Sequence, residues 1–211
     1  MNEELERILG ALASYIGLIP SILALIKFKN APKGSRLVAY LVWWGTMIGL
    51  LAMFIGAFLH QPNLYLLHLY TIVDFMLLTL IFKPVLSSYL SRFLLIGFPL
   101  FAAINSIFFE HLKSENVLNR SLSAFILMFY ALSFFTKTLR EMKISRLERV
   151  PLFWISIGVL FYNAGSFFIF LFSHYLTPIF DLWYVYFGIH AIFTILLYLF
   201  YTIALWVQPK Q

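Results

Sequence analysis

The sequence predicts an all-α polytopic membrane protein, a single seven-transmembrane-helix bundle with its N-terminus out and its C-terminus in. Three observations lead there: charged residues are scarce, the apolar residues come in long unbroken runs, and the basic residues collect in alternate loops. Of 211 residues, 62% are hydrophobic and 11% are charged, with 15 Lys and Arg against 9 Asp and Glu. A soluble domain carries roughly a quarter charged residues and about 45–50% apolar ones. This chain lacks the charge that a water-facing surface needs, which excludes a soluble globular enzyme, a disordered chain and a nucleic-acid binder on a solvated scaffold. There is no cysteine, so neither a disulfide framework nor a thiolate metal site can form. The formal net charge of +6 lies in short loops between apolar runs. It therefore reads as topogenic and not as an anion-binding patch.

A spanning helix needs about 20 mostly apolar residues. Seven segments qualify: 8–27, 37–59, 64–82, 93–109, 118–136, 152–172 and 182–207. All are apolar all round with no two-residue alternation, so they are helices and not barrel strands. The first follows an acidic start, Met-Asn-Glu-Glu-Leu-Glu, that lacks the basic n-region of a signal peptide, and is read as retained. Pro20 removes one of its backbone bonds and should kink it. The second carries Gly45-Thr46-Met47-Ile48-Gly49, a GxxxG that permits close helix approach. The third follows the short connection 60–63, so the second and third should be antiparallel neighbours. The fourth is the shortest and contains Pro99. The fifth runs into the charged stretch 136–149, read as a headgroup-facing loop that could also extend the helix. The sixth opens at Pro151 and holds Ala164-Gly165-Ser166, a second small-residue packing site. The seventh has Trp183, Tyr184, Tyr186 and Trp206 near its ends, where interfacial aromatics are expected.

Orientation follows from the basic residues. Twelve lie on one side: Lys27, Lys29, Lys33 and Arg36; Lys83 and Arg92; the five of the 137–149 run; and Lys210. The other side holds three, Arg7, Lys113 and Arg120. The positive-inside rule then gives N-out and C-in, with a bacterial inner (plasma) membrane as the expected location. Ser35-Arg36-Leu37 and Ser145-Arg146-Leu147 each end a basic loop and open a span. At the same offset Trp44 falls against Trp154 and Thr46 against Ser156. This suggests repeat halves 8–82 and 118–207 within one membrane domain, joined by a linker helix at 93–109. Parallel repeats of this kind occur in membrane transporters.

The three-one-three layout resembles the SWEET/PQ-loop transporters and, more loosely, rhodopsin-like seven-helix proteins. The resemblance is in layout. The chain has Gln61-Pro62, in a loop, in place of a Pro-Gln pair; only Pro20 and Pro99 lie inside spans; and the seventh span has no lysine for a retinal.

Ionisable groups inside the hydrocarbon cost about 2.5–3.5 kcal/mol each on insertion scales, so the few present are informative. Asp74 lies about ten residues into the third span, ~15 Å deep at the helical rise. A carboxyl there either finds a partner or stays protonated. His190 reaches a similar depth in the seventh span, ~12 Å. Tyr186, His190, Thr194, Tyr198 and Thr202 recur every four residues and form one stripe, which should face the bundle. Tyr70 and Thr71 share an arc with Asp74, with His68 at its edge, and Tyr162, Asn163 and Ser166 share a face of the sixth span. The inference is a polar cavity in the outer half of the bundle. Its candidate ligand-binding residues are Tyr70, Asp74, Asn105, Tyr162, Asn163, Tyr186 and His190. Hydrogen bonding between helices, worth ~0.6–2 kcal/mol per contact, is the competing use of the same groups.

These residues suit a small-ligand sensor or receptor-like accessory protein that signals to a membrane or cytoplasmic partner. They also suit a small-solute, proton-coupled transporter. A third alternative is an intramembrane metal-dependent hydrolase of the ceramidase and adiponectin-receptor type, which would need three His as zinc ligands. Only His68 and His190 lie well inside spans, so the sequence leans away from an enzyme and assigns no catalytic residue, metal or cofactor. Membrane lipid is the expected surround, with a small molecule as the candidate ligand and no nucleic acid.

Overall fold

The computed structural model describes residues 3–112, 116–142, 146–180 and 183–207, with the side chains of 8–112, 116–142, 146–169, 171 and 188–207. Among the described residues eight α-helices follow one another: α1 (Glu3–Tyr15), α2 (Leu18–Lys27), α3 (Lys33–Phe58), α4 (Tyr65–Phe82), α5 (Ser88–Phe108), α6 (Val117–Glu141), α7 (Pro151–Phe180) and α8 (Trp183–Trp206). Among the described residues, seven stretches are long and apolar enough to cross a membrane, the first being α1 and α2 together. The molecule is an all-α bundle of seven long apolar helices, the arrangement of a polytopic membrane protein.

The first span bends where Pro20 lies in the first turn of α2. Ile19 N–H turns back to the Ile16 carbonyl at 3.2 Å, and Ser21 N–H resumes the helical pattern onto Gly17 at 3.1 Å. The Gly17 carbonyl at the bend also takes the Thr46 hydroxyl of α3 at 3.0 Å. A hydroxyl from a neighbouring helix thus satisfies backbone that proline disturbs.

The fourth span departs from the expectation that it is the shortest. Helix α5 has 21 residues against 18 in α4, because Ser87 caps it, accepting from Leu90 N–H at 3.2 Å. The polar first turn that hid this start is helical: Arg92 Nε donates to the Ser88 carbonyl at 3.1 Å, and its guanidinium lies over the Tyr89 ring. Helix α6 continues past residue 136 to Glu141 and stops at Met142, which is left-handed (φ 44°). Its other end starts after Asn116, also left-handed (φ 55°), a conformation that asparagine tolerates better than most residues. The Glu110 carboxylate accepts from Leu118 N–H at 3.0 Å there; negative charge suits a helix N-terminus.

The spans form a ring. Helices α1 and α2 pack between α3 and α8; α3 packs on α4, α4 on α6, α6 on α7 and α7 on α8, while α5 flanks α4 and touches α6. The ring closes on a core that includes Val42, Phe75, Phe82, Tyr130 and Val159. Phe98 brings α5 onto it by stacking on Phe75 at 3.9 Å between ring centroids. Outward faces carry large exposed apolar side chains such as Phe93, Ile96 and Phe125. A surface of this kind suits lipid.

Candidate functional site

Asp74 sits on α4 one turn after Tyr70, and its carboxyl lies against the Tyr70 hydroxyl. The two share a cavity of about 30 Å³ with Arg120 and Ser123 of α6 and Tyr162 and Asn163 of α7. That is room for one or two waters. The lining thus includes an acid and a base inside an otherwise apolar bundle.

Helix α8 brings further phenols near Asp74. Tyr198 and Tyr201 both lie within electrostatic reach of Asp74. The Tyr198 hydroxyl also meets the Thr46 side chain, and the Thr46 hydroxyl lies 3.0 Å from that of Ser21. A line of hydroxyls thus leads from the cavity to the bend in the first span. Two glycines make room for it. A Cβ on Gly45 would come within 2.5 Å of the Tyr198 hydroxyl. One on Gly17 would come within 2.5 Å of Thr46 Oγ1 and 3.2 Å of the Tyr198 ring.

His190 adjoins the same cluster through Tyr162. Its ring lies 5.6 Å from the Tyr162 ring, its Nδ1 is 3.4 Å from Ser166 Oγ, and the Arg120 guanidinium is within electrostatic reach. Asn163 is buried in the cavity wall and spends one amide proton on its own helix, donating to the Val159 carbonyl at 2.7 Å. On the α8 stripe, Thr194 and Thr202 likewise donate to carbonyls one turn back, which leaves His190 and Tyr198 to face the neighbouring helices. The Tyr186 side chain lies outside the described residues.

Asn105 is placed elsewhere. Its amide donates to Glu110 Oε2 at 2.7 Å, in a polar knot that ties α4, α5 and α6 together at the end where α6 begins. In that knot Asn119 donates to Asn116 Oδ1 at 2.6 Å, Asn116 to Thr71 Oγ1 at 3.2 Å, and His68 Nδ1 meets Ser106 Oγ at 2.8 Å. The knot reaches the cavity through Thr71, which lines both.

The residue that sequence reasoning missed is Arg120. The sequence reading uses it only as an outer-side charge that sets orientation, yet as the fourth residue of α6 it lines the same cavity as Asp74. A signal was present: Asn116, Arg120 and Ser123 recur at helical spacing and mark a polar face. Among the described residues, no group of three His, Cys, Asp or Glu side chains could hold a metal ion. No protein-family model, no curated protein and no solved structure matches the chain. What the site can do therefore follows from its own groups. A carboxyl, a guanidinium and several phenols around a water-sized space can hold a proton, a cation or a small polar solute.

Proposed function

We propose that this chain is a receptor-like membrane protein that senses a small polar solute in the cavity between α4, α6 and α7. One observation carries the reading: side chains of opposite charge, Asp74 and Arg120, line one cavity from different helices. A dipolar or zwitterionic solute carries charges complementary to these two side chains. The cavity, at about 30 Å³, is far smaller than the roughly 300–1,000 Å³ of small-molecule pockets. A solute of several heavy atoms has to part the helices to enter. Binding and a change in packing are then one event, and a ligand shifts a conformational balance through its differential fit to the two packings. The N-out, C-in orientation in a bacterial inner membrane puts the cavity mouth outside and the 137–149 run inside, where a separate partner reads the change.

The test is thermal unfolding of the purified protein against small amines, carboxylates and amino-acid-like zwitterions. At least one class should raise Tm in the wild type and lose that effect in Asp74→Asn and Arg120→Gln. A panel that stabilises nothing, or stabilises both variants as well as the wild type, counts against a sensing site here.

The second reading is a proton-coupled solute transporter with repeat halves 8–82 and 118–207. Two observations favour it. The first span is bent beside the cluster, and discontinuous helices mark transporter sites. Exchanging spans one to three for spans five to seven also leaves the order of neighbours around the ring unchanged, with α5 outside it. Solute uptake into liposomes under a proton gradient, abolished by Asp74→Asn, would place this reading first.

A further inference from the structure

Hydroxyls inside the spans follow two habits. Thr71, Thr79, Ser156, Thr194 and Thr202 donate to the carbonyl one turn back on their own helix, the local bond open to any helical Ser or Thr. Ser21 and Thr46 do otherwise. Their oxygens lie 3.0 Å apart between α2 and α3, and Thr46 donates to the Gly17 carbonyl, beyond its own helix. The Tyr198 hydroxyl of α8 meets the same Thr46 side chain. Three helices thus bring hydroxyls to one point, where Gly17 and Gly45 leave the space that Tyr198 fills.

That point lies on a line across the bilayer. Asp74 is nine residues into α4, ~14 Å from the face where that helix starts, and its carboxyl lies against the Tyr70 hydroxyl. Tyr70 and Tyr198 face one gap at Gly45: a Cβ there would lie 3.8 Å from Tyr70 Cε2 and 2.5 Å from the Tyr198 hydroxyl. The cavity beside Tyr70 has room for a water to complete the step between them. Ser21, at the far end of the line, is six residues before Lys27, ~9 Å from the opposite face. Polar groups resume there, where the Lys27 ammonium donates to the Leu205 and Trp206 carbonyls at 3.0 and 2.7 Å. In a hydrocarbon core of about 30 Å, the line crosses the middle, where water is scarcest.

We infer that Asp74, Tyr70, Tyr198, Thr46 and Ser21 form a proton relay through which this protein conducts protons across the membrane. The relay takes the Asp74 cavity as the working site, and in that respect rests on the function proposed above. A hydroxyl both donates and accepts, so it passes a proton by taking one on an oxygen lone pair and releasing its own to the next oxygen. One O–H bond forms and one breaks at each step, and every hydroxyl ends neutral. Asp74 takes the proton from water in the cavity, and Ser21 releases it to water at the opposite face. Thr46 is the junction: its proton swings from the Gly17 carbonyl to Ser21 for the transfer. Arg120 of α6, Tyr162 of α7 and Tyr201 of α8 also surround Asp74, and none of them is a step.

The experiment is proton flux into liposomes that hold the full chain and a pH-sensitive dye, driven by a potassium diffusion potential with no solute added. Wild-type vesicles should change pH faster than protein-free ones. Thr46→Val, Tyr198→Phe and Ser21→Ala should each return the rate to that of protein-free vesicles. Thr46→Ser, which keeps the hydroxyl, should restore what Thr46→Val loses, and Gly49→Ala, off the line, should conduct like the wild type. Circular dichroism and size exclusion check that every variant is folded. Three results each overturn the relay: wild-type flux no faster than that of protein-free vesicles, flux that survives Thr46→Val and Tyr198→Phe, or an equal loss in Gly49→Ala. A Tm that responds to a solute without proton flux overturns the relay and leaves the sensing reading standing; flux without any Tm response does the opposite.

Discussion

Tyr198 reaches the centre of the bundle only because Gly17 and Gly45 have no side chain. Adding a Cβ at Gly45 sets it 2.5 Å from the Tyr198 hydroxyl, whereas the next ring atom, Cζ, stays at 3.6 Å. Gly45→Ala should therefore destabilise the protein by ~1–3 kcal/mol, the usual cost of overpacking. In a Tyr198→Phe background most of that cost should vanish, because the clashing oxygen is gone. Gly49→Ala is the internal control: nothing lies within 4 Å of its Cβ, so it should be neutral or stabilising by up to ~1 kcal/mol through helix propensity. Reversible unfolding in detergent measures the four variants (Gly45→Ala, Tyr198→Phe, the two combined, and Gly49→Ala) against the wild type. Equal losses at Gly45 and Gly49, or no relief from Tyr198→Phe, would refute this packing. The GxxxG spacing announced close approach but not its partner. Spacing repeats on one helix, while the ring that fills the gap belongs to a residue more than 150 positions away, which no local pattern encodes.

At the level of helices, the bend in the first span and the Thr46 hydroxyl act together. Thr46 donates to the Gly17 carbonyl and lies 3.0 Å from the Ser21 hydroxyl, and Trp43 on the same helix donates its indole N–H to the Ser21 carbonyl at 3.1 Å. Thr46→Val keeps the shape and removes the hydroxyl. It should cost about 1–2 kcal/mol, towards the upper end for an interhelical hydrogen bond in a membrane, and should raise amide hydrogen exchange around Gly17 ahead of the rest of the chain. Exchange that rises uniformly, or not at all, would show that the bend does not depend on α3. Pro20 made the bend legible, because a missing N–H is a property of one residue. The early start of α5 and the place of Arg120 were not. First turns at a membrane interface carry Ser, Asn and Arg whether they are helix or loop, so hydropathy cannot tell them apart. Their capping bonds, Ser87 to Leu90 and Glu110 to Leu118, can.

Across the whole molecule, side of entry decides what the cluster can serve. Helices α4, α6 and α8 start at the same face of the bundle, because the intervening spans run antiparallel. From that face Arg120 is about one turn in, ~5 Å, and Asp74 ~14 Å, so the cavity belongs to that half of the bilayer. The seven spans were readable because long apolar runs have one solution in lipid. The meeting of Asp74, Arg120 and Tyr162 in one cavity was not, since it depends on how three helices rotate about their own axes. Orientation is open to direct measurement because the chain contains no cysteine. Asn30 and Gln61 are both exposed and lie on opposite faces, at the two ends of α3. Under N-out topology, Gln61→Cys should react with a membrane-impermeant maleimide in intact cells, and Asn30→Cys only after permeabilisation. The reverse pattern would turn the cavity towards the cytoplasm, and an external solute could then no longer be what Asp74 and Arg120 sense.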